Sequence, residues 1–337
     1  MEAQNSRIMT MALSILAVLA LIGSLNVASS ILIPFVLSII LAFVLMPVVI
    51  QLKNRKVPGA LAAVASLGLA MAFLSVVSYL VYLSLNSMNQ AIPTYSLKFK
   101  EFFHSADEFL AGYNVDINSY WPEVQKQATV MVGKTANILL GLSKNGLLIF
   151  FITLFMLIEG TRYQTKAVKA FGKGNFFATS AAKIAQDIQR YLMFKTLISL
   201  ATGTLVWIVL TIIGLDFPLV WGLLAFVLNF IPSIGSIVAS LPPILLALVQ
   251  FDSPVQYALI VAVCLLTIQG IIGNYLDPKI MGDNLNLSPL IIFLSMVFWG
   301  WLWGPVGMLL AVPLAVSLKV ALHHHERSRP IALMMEG

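Results

Sequence analysis

Apolar positions along this chain gather into long blocks rather than the alternating or three-and-four-residue spacings of half-buried elements. Eight blocks approach the length of a bilayer crossing: 8–28, 31–52, 59–85, 139–158, 196–214, 217–249, 255–275 and 287–322. A helical crossing takes roughly 20 residues. The pattern therefore predicts an all-α polytopic membrane protein with about eight transmembrane helices. The first block follows one cation, Arg7, and is longer than the apolar stretch of a secretory leader, so it reads as an uncleaved span.

Three blocks depart from a simple span. The fourth has an uncharged core of only 146–158 and must recruit 139–143, with Lys144 reaching an interface. The sixth and eighth, at roughly 33 and 36 residues, are too long for one span and short for two. Asn229, Pro232, Gly235, Pro242 and Pro243 interrupt the sixth; Gly300, Gly304, Pro305, Gly307 and Pro313 interrupt the eighth. Proline removes a backbone donor and clashes with the preceding turn, so some helices here are expected to be broken or re-entrant. Gly300 and Gly304 also form a small-xxx-small pair suited to close helix packing, among Trp299, Trp301 and Trp303.

Polar stretches set the domain order and orientation. The segment 88–143 has balanced charge and places Phe99, Phe102, Phe103, Phe109, Leu110 and Tyr113 at helical spacing, which predicts a small helical insertion on the outer face. The segment 161–195 is basic, with Arg162, Lys166, Lys169, Lys173, Lys183, Arg190 and Lys195, and reads as two short amphipathic helices around 172–175. By the positive-inside rule this segment, the loop of Lys53, Arg55 and Lys56, and the tail of Lys319, Arg327 and Arg329 are cytoplasmic. Both termini then lie inside. The expected organisation is 1–87 with three helices, 88–143 as insertion, 144–160 as the fourth helix, 161–195 as basic segment, 196–322 as C-terminal membrane region, and 323–337 as tail.

Composition narrows the class. Apolar residues make up 59% of the chain and charged residues 10%, against about 45–50% and 25% in soluble domains, which excludes an ordinary soluble enzyme. The net charge of +6 comes from cations beside apolar blocks, without interleaved aromatics. Membrane lipids, not nucleic acid, are the expected partner. Cys264 is the single cysteine, so neither an intrachain disulfide nor a cysteine metal site can form.

Enzyme signatures are missing. Gly172, Lys173, Gly174 and Asn175 do not meet the phosphate-binding loop pattern, and no His-Glu-x-x-His helix exists. His104 is isolated, and His323, His324 and His325 lie in the polar tail. An intramembrane protease would need Gly-x-Ser-Gly or two facing carboxylates; Asp277 and Asp283 share one connection. The chain is read as a non-enzyme that needs no cofactor and no metal.

The remaining chemistry lies in polar and helix-breaking residues within apolar surroundings. Asn229 can donate and accept at once, Pro232 frees a carbonyl, and Gly235 lets backbones approach. Gln269 and Asn274 suit hydrogen bonding to a neutral ligand, while Asp277 either pairs with Lys279 or opens an Asp-Pro turn. Asn229, Pro232, Gly235, Gln269, Asn274, Asp277, Gly304 and Pro305 are therefore the candidates for a transport route. Asp277, Asp216 and Glu159 are the carboxylates available for proton or ion coupling.

The motifs NFIPSIG at 229–235, LPPI at 241–244, IGNYLDPKIMG at 272–282, LSPL at 287–290 and WGWLWGPVGMLLAVP at 299–313 together resemble the autoinducer-2 exporter (AI-2E) transporter family, closest to its quorum-signal exporter branch. The resemblance implies about eight transmembrane helices, a bacterial inner membrane, export of a small furanone-type signal, and homo-oligomers with a pentamer as the candidate assembly. Other members resemble sodium or lithium/proton antiporters, so the family leaves the substrate open. Asn229, Pro232, Gly235, Asn274, Asp277, Pro278, Gly304, Gly307 and Pro313 occupy its motif positions.

The expected function is export of a small polar quorum-sensing signal by alternating access. A sodium or lithium/proton antiporter, exchanging a monovalent cation for a proton, is the alternative. A nontransporting membrane scaffold is the third class.

Overall fold

The computed structural model describes residues 2–110, 145–160, 176–232, 234–276, 279, 287–323 and 328–337. Among these the regular structure is helical, without a strand. Ten helices follow in order: α1 (Glu2–Val27), α2 (Ser29–Asn54), α3 (Gly59–Leu110), α4 (Asn145–Gly160), α5 (Phe176–Ile213), α6 (Pro218–Leu228), α7 (Ile234–Gln250), α8 (Pro254–Gln269), α9 (Pro289–His323) and α10 (Arg329–Met334). A π-helical segment, Gly270–Leu276, continues α8.

Five of the described helices carry stretches long and apolar enough to cross a bilayer: Ser29–Asn54, Gly59–Met88, Ile188–Ile213, Pro254–Gly273 and Pro289–Lys319. Shorter apolar helices include Ile15–Val27, Asn145–Gly160, Pro218–Leu228 and Gly235–Gln250. Leu13, Leu16 and Leu21 on α1, and Leu69, Phe73 and Val76 on α3, turn outward. Such surface is stable against lipid tails and not against water. The chain is a polytopic membrane protein.

Two boundaries differ from the hydropathy reading. The apolar stretch of the third span ends near residue 88, but its helix does not stop there; α3 runs unbroken to Leu110, about 78 Å of helix, with Pro93 inside it. Hydropathy marks where a bilayer ends, but a helix stops only where its hydrogen bonding is interrupted, and Pro93 removes a single donor. The second half of the expected insertion lies outside the described residues. Likewise the fifth span does not begin at 196. Helix α5 starts at Phe176 and carries Arg190 and Lys195 as part of one 38-residue helix, whereas 161–175 lie outside the described residues.

The chain divides into two compact units. One comprises Met1–Ala60, Leu148–Arg190 and Asp283–Gly337. In it, α9 is folded in two at Gly304, whose backbone (φ 65, ψ −148) is not helical. The Ser295 hydroxyl donates to the Ala311 carbonyl at 2.8 Å, although sixteen residues of straight helix would separate them by about 24 Å. The arms 289–303 and 305–323 therefore form an antiparallel hairpin. Its tip, Leu302 and Trp303, and Leu310 on the returning arm pack against Ile22, Leu25, Leu32, Val36 and Ile40 of α1 and α2. Elsewhere in this unit Ser38 of α2 and Thr153 of α4 are fully buried, the Thr153 hydroxyl facing the Ser38 carbonyl at 3.4 Å.

The expected polar tail is not all solvated. Met335 and Ala332 of the α10 region are buried, and Met335 packs with Leu287, Ala315 and Val316 at the base of the hairpin. The Ser288 amide donates to the Met335 carbonyl at 2.9 Å, and Lys319 pairs with Glu336 at 3.1 Å. Apolar side chains in the tail find an apolar base to cover, which charge counting along the sequence does not register.

The other unit comprises Leu61–Leu147 and Tyr191–Gly282. Its core is built from Val206, Leu210, Trp221, Ala225, Leu246, Ala247, Val261 and Leu265 of α5 to α8. Here too the interrupted block folds back: α6 and α7 form a second hairpin around 229–233.

Candidate transport site

The α6–α7 hairpin is clamped at its base. Phe217 adopts a left-handed backbone (φ 58) that redirects the chain, and Pro218 opens α6. Gln250, at the end of α7, donates through Nε2 to the Gly214 carbonyl at 2.7 Å and accepts the Asp216 amide through Oε1 at 2.8 Å. The Trp221 indole donates to the Asp216 carbonyl at 2.9 Å. From α3, the Tyr95 hydroxyl donates to the Asp216 carboxylate and its ring meets Phe217 edge-on at 6.5 Å. Burial, followed by the hydrogen bond and the charge of Asp216, pushes the Tyr95 phenol well above the usual tyrosine range.

The tip is tightly wound. Amides of Phe230 and Ile231 donate three residues back, to Val227 and Leu228, so the last turn of α6 narrows before Pro232. Gly235 opens the return arm because nothing larger fits: a Cβ there would lie 1.8 Å from the Leu228 carbonyl oxygen. Asn229 is buried at this tip and donates through Nδ2 to the Ser199 hydroxyl at 3.0 Å. What brings Ser199 within reach is the crossing of α5 and α6 at Gly203 and Gly222. A Cβ on either glycine would come within 2.7 Å of the other's carbonyl oxygen, a backbone approach that small residues permit in membrane helices.

Helix α5 presents Lys195, Ser199 and Thr202 as a buried polar stripe at i, i+4 and i+7. Lys195 is engaged by a partner, and Thr202 donates to the Ile198 carbonyl at 2.9 Å. Sequence reasoning placed Lys195 among the cytoplasmic charges and passed over Ser199. The signal was present: three polar side chains at helical spacing within the largely apolar stretch Ile188–Ile213.

The α9 hairpin repeats the device. A Cβ at Gly307 would lie 1.9 Å from the Trp299 carbonyl oxygen, and one at Gly300 would meet Met308 at 2.7 Å. Gly304 does not act as half of a packing pair, since nothing lies within 4 Å of its Cβ position; it supplies the positive φ that reverses the chain. Pro305 follows inside the break. Trp303 donates its indole N–H to the Leu25 carbonyl at 3.1 Å, one of the last carbonyls of α1, which lack a helical donor.

The remaining candidates are spread out. Pro232 is half-buried at the first tip, and Gln269 is buried at the end of α8. Asn274 lies on the π-helical segment. Asp216 is exposed at the hairpin base, and Glu159 is exposed near the end of α4. Asp277 lies outside the described residues. Lys279 sits over Tyr275, with Nζ 5.1 Å from the ring centroid and 3.4 Å from the hydroxyl.

The sequence pattern of the AI-2E family transporter matches residues 11–327 of the chain. The chain belongs to the AI-2E transporter family. Its relatives in that family include the AI-2 transport protein TqsA of Escherichia coli (strain K12), 33% identical over 314 residues that cover 91% of this chain and 90% of TqsA. A candidate transport protein of Borreliella burgdorferi is 33% identical, covering 96% of this chain and 89% of that one. YhhT of Escherichia coli (strain K12), also described as a candidate transport protein, is 28% identical over 326 residues, 96% of this chain and 93% of its own. Both hairpin tips, 229–235 and 299–307, fall inside the matched AI-2E region.

Proposed function

We propose that the chain exports a small, uncharged, hydroxyl-bearing signal of the autoinducer-2 type across the bacterial inner membrane by alternating access, with both termini cytoplasmic. The observation that carries this reading is the chemistry of the groups buried around the first hairpin tip. They are amides and hydroxyls, Asn229, Ser199, Thr202 and Gln269, with one cation on the same stripe of α5, Lys195, that is already engaged by a partner; no Asp or Glu side chain among the described residues is buried. Cation exchange against protons calls for a carboxylate that is desolvated and reloaded during the cycle. A neutral ligand needs only donors and acceptors. The relative TqsA, an AI-2 transport protein, supports the same choice. The two hairpins supply irregular backbone within apolar segments, the setting in which transporters place substrate groups.

The test is reconstitution in proteoliposomes. Autoinducer-2 enclosed in the vesicles leaves faster through the protein than through empty membranes, at a rate independent of sodium and lithium. Sodium or lithium flux driven by a pH gradient, without autoinducer-2 movement, would overturn the reading in favour of an antiporter. Flux of neither kind would favour a scaffold.

A further inference from the structure

Helix α8 and its π-helical extension bury one stripe: Ala258, Val261, Leu265, Gln269 and Ile272. Four of these are apolar. Gln269 occupies a core position and is 9% exposed, yet its amide makes no hydrogen bond to any other described residue. Burying an amide without a partner is unfavourable, and leucine at this position would avoid the cost. Nor is the amide sealed in. Ser66 Oγ is the one buried side-chain polar atom of the described residues that is both enclosed and unpaired, so the Gln269 amide keeps some access to its surroundings. Gly273, one turn on, has nothing within 4 Å of its Cβ position, and neither does Gly270. Space is thus open beside both glycines of the π-helical turn, a geometry often found at functional sites.

Register places this amide near the first hairpin tip. Helices α7 and α8 pack against each other across a short connection, antiparallel. The end of α8 is thus level with the start of α7, where Gly235 follows the tip. There Asn229 donates to Ser199, whose hydroxyl has no other partner, near the middle of the Ile188–Ile213 stretch.

We infer that Gln269, Asn229 and Ser199 form a recognition layer for a neutral ligand bearing hydroxyl or carbonyl groups. This rests on the transport reading above and names its binding residues. The Gln269 amide provides a free donor and a free acceptor, and the Ser199 hydroxyl a further donor. The nearest buried cation on α5, Lys195, is already engaged. A site built to hydrogen-bond hydroxyls discriminates strongly against analogues that lack them, because its own groups are then left unpaired.

The experiment compares wild-type protein with Gln269→Leu and Ser199→Ala in proteoliposomes, with autoinducer-2 as the probe, alongside thermal unfolding in detergent. Gln269→Leu is expected to raise the half-saturation concentration about tenfold, the loss of one hydrogen bond, while its unfolding midpoint stays level or rises. Ser199→Ala is expected to raise half-saturation in the same direction. A purely structural glutamine would show a changed midpoint with unchanged half-saturation, and that result overturns the layer while leaving the transport reading intact. Should the leucine variant fail to assemble, Gln269→Met with Ser199→Ala decides the matter, and unchanged half-saturation in both again overturns the layer. Wild-type protein that carries no autoinducer-2 overturns the transport reading and the layer with it.

Discussion

The Tyr95 hydroxyl donates to the Asp216 carboxylate, tying the extension of α3 to the base of the α6–α7 hairpin. Asp216 is one of the carboxylates named for ion coupling, and its side chain accepts this hydrogen bond at the base of the hairpin. Tyr95→Phe removes one hydrogen bond to a charged group that is itself exposed, so a loss of about 1 kcal/mol is expected. Thermal unfolding in detergent measures it.

The same pair gives a pH signature. The folded Tyr95 phenol is held above its unfolded value of 10.0 by burial and by Asp216. Its contribution to stability is therefore complete below about pH 10 and is lost as pH rises further, because the unfolded chain then releases a proton that the folded chain retains. A tyrosinate absorbance titration should show one group ionising later than the rest, and that group should vanish in Tyr95→Phe.

Gly235→Ala and Gly307→Ala each drive a methyl into a backbone carbonyl on the opposite arm of a hairpin. Each is expected to cost roughly 1–3 kcal/mol or more and to splay its hairpin. Gly23→Ala and Gly68→Ala meet nothing within 4 Å and should be neutral or slightly stabilising through helix propensity. The comparison is read as unfolding midpoints by fluorescence-detected size exclusion.

Gly304→Ala separates strain from crowding. Space at this position is open, but φ is 65 and ψ −148, a region reserved almost wholly for glycine, and a penalty of about 1–3 kcal/mol is expected. Stability equal to wild type would mean that the α9 hairpin does not turn there.

Glu336→Gln breaks the ion pair with Lys319 that fastens the α10 region to the returning arm of α9. Limited proteolysis should then cut within 328–337 faster than in wild type. Unchanged protection would assign the docking to Met335 and its apolar neighbours alone.

Much of this was legible in the chain itself. The prolines and glycines at 229–235 and 300–313 marked both broken segments, since no helix passes Gly304-Pro305 undisturbed, and the same residues carry the family resemblance. Asn229 and Gln269 stood out because amides are costly in apolar surroundings. The reach of α3 to Leu110 and the early start of α5 were hidden, because hydropathy records solvent preference and helices extend beyond the bilayer on backbone hydrogen bonds alone. Ser199 was hidden for another reason. A serine in a membrane helix ordinarily satisfies itself on its own backbone, and only the Gly203–Gly222 crossing hands it to Asn229.

By itself the sequence determined that the protein lives in a membrane, where its helices are interrupted, and to which family it belongs. These follow from side-chain transfer preferences and from the backbone limits of proline and glycine, properties each residue carries wherever it is placed. Only the tertiary structure decided that the long blocks fold back as hairpins, that Tyr95 engages Asp216, that the tail docks on α9, and that Gln269 is left unpaired. Each of these depends on which distant surfaces fit together, and an approach within a few ångströms between residues tens of positions apart is not recorded in any local run of the chain.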